Sequence, residues 1–220
     1  MNDKNQNQGS PDGKNNIAVA DGRENLLQKY GTILYAAGAV ILIVALAVVF
    51  YAIKINRDND QASRLLGAAQ NSKQFEDIIG KYPKSPAAPA ALMAIASSRY
   101  ASGDYDGASA LYADFILKYP RHSMFTAAEL GRVMCLEARG DVDKALLEFN
   151  SFLLTHPDNY LTPQALFGKA RCLQITGKLT DAKIVYEDFI AAYPESKWRQ
   201  QAESALHMID RQLRAKQQGN

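Results

Sequence analysis

The side chains best suited to nucleophilic, acid–base or metal chemistry are few in this chain of 220 residues. There are two cysteines, Cys135 and Cys172, and three histidines, His122, His156 and His207. No CxxC, HExxH or other ligand spacing links them. No phosphate loop, GxSxG elbow or dinucleotide fingerprint occurs. No histidine has a carboxylate or nucleophile at a spacing that would pair with it. The expectation is of no catalytic residue, no metal and no cofactor, hence of a protein that is not an enzyme. A hydrolase or transferase would need a clustered acid–base pair that these residues do not supply. Lys and Arg number 25 against 23 Asp and Glu, a net charge of +2. With no dense basic stripe, that balance gives no reason to expect a nucleic-acid partner.

The two cysteines stand 37 residues apart, and the same interval runs through much of the chain. Gly103, Gly140 and Gly177 share it. So do Ala108, Ala145 and Ala182; Tyr112, Phe149 and Tyr186; and Phe115, Phe152 and Phe189. Pro120, Pro157 and Pro194 close each unit, preceded by Tyr119, His156 and Tyr193, while Ala91, Ala128 and Ala165 recur ahead of the glycines. The pattern describes a helical hairpin repeated three times. Each glycine sits between two helical stretches, where a helix C-terminus accepts a left-handed residue. Each alanine lets the paired helices approach, and the aromatic four residues on shares its face. Each proline stops the second helix. Equivalent points on neighbouring repeats lie about 10 Å apart, beyond the roughly 7 Å that a disulfide allows between Cα atoms. Cys135 and Cys172 are therefore expected as buried free thiols, and His156, standing where the other units have tyrosine, as a structural residue.

These columns resemble the tetratricopeptide repeat over about residues 63–215. GDYDGASALYADFILKYP (Gly103–Pro120) carries the family's glycine, alanine, aromatic and proline positions. The unit departs in length, with a three-residue extension after each proline beyond the family's usual 34 or so residues. YPKSPAAPAA (Tyr82–Ala91) and YPESKWRQQA (Tyr193–Ala202) are similar to the bacterial envelope subset of the family. QFEDIIGKYP (Gln74–Pro83) is the end of a degenerate earlier copy. Trp198, Ala202, Ala205, Leu206, Ile209 and Leu213 mark a last helix that caps the array, as the end of a solenoid requires.

Ahead of the repeats, Gly31 to Ile53 contains no charged residue. Its 23 residues make a helix of about 34 Å, enough to cross a hydrocarbon core of about 30 Å. Tyr30 and Tyr35 at one end, and Phe50 and Tyr51 at the other, suit interfacial belts. The run is too long for the apolar part of a signal peptide, and AIKINRDND after it offers no cleavage site. It also lacks the polar face of a soluble helix. Arg23 and Lys29 on one side nearly balance Lys54, Arg57 and Arg64 on the other, a weak lean toward an inside C-terminus. No GxxxG falls in the span.

The organisation expected is all-α, a transmembrane helix followed by a tetratricopeptide-like α-solenoid with a C-terminal cap. Residues 1–23 read as a disordered tail. Residues 24–60 hold the transmembrane helix with its flanks (span 31–53), 61–86 the degenerate repeat, 87–196 three repeats, and 197–216 the capping helix. The resemblance places a partner-binding groove on the first helices. Its rows would be Met93, Leu130 and Phe167; Ser97, Met134 and Arg171; and Tyr100, Glu137 and Gln174. The first row is apolar throughout. It either packs beneath a neighbouring helix or offers adaptable contacts to a partner's helix or extended peptide.

The resemblance implies a non-enzymatic scaffold binding exported or envelope proteins, held as a single-pass protein in the bacterial inner membrane with its repeats in the periplasm. It is similar to the ancillary subunit of the translocation channel and to periplasmic cell-division and outer-membrane-assembly repeat proteins. A chaperone-like holding role fits that group. No cysteine precedes Cys135, so attachment as a lipoprotein is not expected. The alternatives are a structural subunit of a pilus or secretion apparatus, or a docking platform facing the cytoplasm.

Overall fold

A computed structural model describes residues 13–218, with side chains from residue 29 onward except residue 32. It divides into two units, residues 1–57 and 58–220. The first unit is part of α1 (Gly13–Ala68). Between Ile33 and Ile53 its large apolar side chains are exposed. This helix is long and apolar enough to cross a membrane by length and composition. The tail expected over residues 1–23 lies outside the described residues up to residue 12, and from Gly13 the chain is helical.

The second unit begins with the last residues of α1, from 58 to 68, and continues as α2 (Ser72–Lys81), α3 (Ala87–Ala101), α4 (Tyr105–Lys118), α5 (Phe125–Ala138), α6 (Val142–Thr155), α7 (Thr162–Ile175), α8 (Leu179–Ala192) and α9 (Arg199–Gln218). All the regular structure among the described residues is helical. Each helix from α2 onward packs on the next, and the first helices α3, α5 and α7 also touch one another. This is the expected array of hairpins, with α9 in the place of a cap.

Local chemistry sets the turns. Gly103, Gly140 and Gly177 have φ of 84°, 90° and 74°, the left-handed region that other residues avoid. Around the first, Gly103 N–H donates to the Tyr100 carbonyl at 3.1 Å and Asp104 N–H to the Arg99 carbonyl at 2.9 Å. The same pair of bonds recurs at Gly140 and Gly177, a Schellman closure at the end of each first helix. Asp104 then opens α4 by accepting from Gly107 N–H at 2.9 Å. That bond, followed by the hydrogen bond from Arg99, holds its carboxyl below the usual carboxylate range. The prolines do more than stop a helix. Ser85 N–H donates to Tyr82 O at 3.0 Å and Ser196 N–H to Tyr193 O at 3.0 Å, so each proline takes the second position of a tight turn, where its fixed φ belongs.

The core follows the columns. Ala108, Ala145 and Ala182 are wholly buried, as are Phe115, Phe149 and Phe189. Cys135 and Cys172 are buried and unbridged. Burial pushes their thiols up to about 11 and about 12.

Candidate functional site

The nine groove positions fall into two groups. Leu130 is 2% exposed and Phe167 5%, and both belong to the core of the last two repeats. The Phe167 ring packs on Tyr186 at 5.8 Å and Phe189 at 5.6 Å, and it stacks on Trp198 at 6.1 Å. Of the two readings of the apolar row, packing beneath a neighbouring helix describes these residues. An open apolar row does not. Met93 is partly buried against the core of the preceding repeat. The reason is geometric. A first helix in a solenoid is covered by its own partner helix and by the helices of both neighbours, so its apolar stripe is wider than the seam of a simple hairpin.

Among the other six positions, the Arg171–Glu137 and Gln164–Met134 contacts cross from one repeat to the next, whereas the rest are made within a hairpin. Arg171 on α7 donates through Nε to Glu137 Oε1 at 2.7 Å and through Nη2 to Oε2 at 2.5 Å, a two-pronged bridge to α5. The Glu137 side chain is only 9% exposed, whereas that of Arg171 is 41% exposed. Burial works against the charge on Arg171, but the hydrogen bonds and charge of Glu137 prevail and raise its pKa. The guanidinium also lies over the Phe167 ring at 5.2 Å. Gln174 accepts from the Tyr186 hydroxyl at 3.2 Å. Burial first, then Arg171 and Glu137, set that phenol, which is pushed up to about 12. Met134 Sδ accepts from Gln164 Nε2 at 3.0 Å. The Ser97 and Tyr112 hydroxyls lie 3.3 Å apart. Tyr100 packs edge-on against Tyr105 at 5.3 Å, and its phenol is raised by burial and then by the negative charge of Glu137.

The Arg171–Glu137 bridge fixes the spacing of two first helices. Nη1 of Arg171 has no partner among the described residues, which leaves donors for a carbonyl or carboxylate. No group of three or more metal-competent side chains comes together among the described residues. His156 pairs with Glu129 at 2.9 Å and packs on Phe152 at 4.9 Å, so it ties α6 to α5.

The sequence reading passed over one column that sets the packing. Gly131 and Gly168, with Ala94 and Ala205 at the same interval, lie in the first helices and in α9. A Cβ on Gly131 would come within 2.6 Å of the Tyr112 ring. One on Gly168 would collide with the Phe149 ring. Tyr112 and Phe149 therefore each rest on the bare backbone of the next first helix. The 37-residue interval carries that signal, because every member of the column is glycine or alanine.

Residues 58–217 match the family model YfiO, described as an outer membrane lipoprotein. No relative matches among the curated proteins. Among solved structures, the chain is similar to the nearly identical TPR-like repeats of a putative kinesin light chain from Podosopora anserina. That match has 15% identity and a TM-score of 0.53, over 75% of this chain and 89% of that one. A tetratricopeptide repeat protein from Parabacteroides merdae matches at 14% identity and a TM-score of 0.52, over 71% of this chain and 60% of that one. The Yersinia enterocolitica type III secretion chaperone SycD, solved with a peptide of the translocator YopD, matches at 24% identity and a TM-score of 0.46, over 55% and 91%. The first two establish the tetratricopeptide fold.

Proposed function

Because the chain belongs to the YfiO family, outer membrane lipoproteins by description, we propose that it is a tetratricopeptide scaffold that binds segments of other proteins at the bacterial envelope. The observation that carries this reading is the Arg171–Glu137 bridge on the first-helix face. It holds a half-exposed guanidinium over the Phe167 ring and within electrostatic reach of Tyr100, on a face that also carries Met134 and Gln174, with Met93 and Ser97 beside Tyr100 on α3. Guanidinium, amide and phenol groups suit the carbonyls of an extended segment, and the methionines suit its apolar side chains.

The family match begins at residue 58, past the apolar part of α1. The reading is of α1 as the anchor, crossing the inner membrane once, with the repeats in the periplasm. Partners would be exported or envelope proteins, and the binding chaperone-like. A pilus or secretion-apparatus subunit, or a cytoplasm-facing platform, would use the same face with other partners.

Photo-crosslinking in living cells tests the binding face. A photoreactive residue at Ser97 or Met134 should give discrete adducts with other proteins, and one at exposed Thr155 on α6 should not give the same adducts. Arg171→Lys, which keeps a positive charge beside Glu137 but gives up the two-pronged bridge, should weaken them without lowering expression. Adducts unchanged by Arg171→Lys, or that form equally from Thr155, would overturn the reading.

A further inference from the structure

α9 closes the array, but it is turned as a first helix is turned. Ala202, Ala205 and Ile209 stand 37 residues beyond Ala165, Gly168 and Cys172 of α7, and all of them are buried. The columns that face inward on α7 therefore face inward on α9, and the outward columns follow. Met208 continues the row of Ser97, Met134 and Arg171, and Arg211 continues that of Tyr100, Glu137 and Gln174. Met208 is 44% exposed, and Ile175, next to Gln174 on α7, is 64% exposed. Arg211 is exposed and has no ion-pair partner among the described residues.

We propose that α9 is a fourth binding row, and that α3, α5, α7 and α9 together take an extended, polyproline-II-like segment of a partner protein, with an apolar side chain on Tyr100 and Met134 at one end and a carboxylate on Arg211 at the other. This rests on the reading of the first-helix face as the binding face. The spacing of the rows selects the backbone. α3, α5 and α7 touch one another, so their axes lie about 8–10 Å apart. A polyproline II segment turns once in three residues, about 9.3 Å, and so sets every third side chain on the next row. A β-strand, whose like-facing side chains repeat at about 7 Å, falls out of step. The free donors agree. Arg171 Nη1, the Gln174 amide nitrogen and the Tyr100 hydroxyl make no hydrogen bond among the described residues. A polyproline II backbone leaves its carbonyls open to them. An α-helix would bond its own carbonyls and cover these groups unmet. Charge sets which end is which. Met93, Ser97 and Tyr100 carry none at neutral pH, Glu137 and Arg171 cancel, and Arg211 is left positive. Three steps of about 9.3 Å separate α3 from α9, so about ten residues fill the face.

Crosslinking in cells tests the row, and peptide binding to the full-length chain in detergent tests the backbone. A photoreactive residue at Met208 should give the adducts seen from Ser97 and Met134. One at Arg214, exposed and about a third of a turn round α9, should not. Adducts from Ser97 and Met134 with none from Met208 would overturn the fourth row and leave the binding face standing. No adducts from any of the three would overturn both. The peptide probe is three Leu-Pro-Pro units ending in glutamate, which should bind. The same residues reordered to break the three-residue spacing should bind about tenfold more weakly, the loss of one buried leucine. Arg211→Glu should weaken the first probe about fivefold, and lysine in place of its glutamate should restore binding to that variant. Arg211 is exposed and unpaired, so an unchanged melting temperature will show that the fold is intact. A first probe that does not bind, equal binding of the ordered and reordered probes, or an Arg211→Glu chain indifferent to the exchange of glutamate for lysine would each overturn the proposal.

Discussion

Gly168 shows how little room lies between repeats. The Phe149 ring occupies the space a Cβ would need, so Gly168→Ala sets two effects against each other. Alanine favours a helix by about 1 kcal/mol over glycine. Forcing a methyl group into a filled core costs about 1–3 kcal/mol. The ring is wholly buried and has nowhere to retreat, so overpacking wins. Urea unfolding should show a loss of up to about 2 kcal/mol, the difference of those two figures. The groove rows divide in the same way. Phe167→Asp buries a charge among Tyr186, Phe189 and Trp198, and should cost at least about 4 kcal/mol, enough to abolish a cooperative melt near 37 °C. Ser97→Asp, on the exposed part of the same face, should stay within about 0.5 kcal/mol of the parent. The sequence displayed the three rows as apolar or polar. It did not display which apolar residues were covered, because a covered residue and a groove residue present the same letters. The interval did locate Arg171 and Glu137 at neighbouring rows, but a diagonal bridge between rows follows from the offset of adjacent helices, which spacing alone does not carry.

The hairpin is closed by its glycine. Gly140 has φ of 90° and no atom near its missing Cβ, so Gly140→Ala adds backbone strain without a clash. The expected cost is about 1–2 kcal/mol. Gly80 is the contrast: it lies in α2, exposed, with a helical backbone and open space around it. Gly80→Ala should raise stability by up to about 1 kcal/mol. Thermal melts of the two variants should therefore move in opposite directions. These elements were readable because each boundary has a residue with one physical job. Glycine supplies the left-handed turn and proline the stop. The start of α1 had no such marker. GKNNIAVADGR carries neither a capping pattern nor an apolar face, so composition favoured a tail where the chain is helical from Gly13.

The end of the solenoid is written in the same columns. Phe167, Ala170 and Leu173 of α7 are buried, and their equivalents on α9 are Ser204, His207 and Asp210. Ala202, Ala205 and Ile209 keep the inner face buried, so α9 packs on α8 while its outer face stays polar. Asp210 turns back to Lys183 of α8 at 2.7 Å. Cooperative unfolding of this array has a chemical readout. The thiols of Cys135 and Cys172 are pushed from an ordinary value of 9.0 up to about 11 and about 12 by burial. Because the folded values are raised, their contribution is complete below pH 9. It is lost as the pH rises toward 11 and 12, since only the unfolded chain ionises in that window. The native chain at pH 8 should resist a thiol reagent, both cysteines should react in denaturant, and the urea midpoint should fall above pH 9. A double Cys→Ala variant should show a shallower alkaline decline.

At the same scale, the proposed reading makes α1 the anchor. The lysines and arginines flanking the apolar run nearly balance, so the periplasmic placement in that proposal follows the family resemblance against a slight charge bias. Paired C-terminal reporters decide it most directly, one active only in the periplasm and one only in the cytoplasm. The account predicts periplasmic activity and a chain that stays in the membrane fraction after an alkaline carbonate wash. Cytoplasmic activity, or release of the chain by the wash, would contradict it.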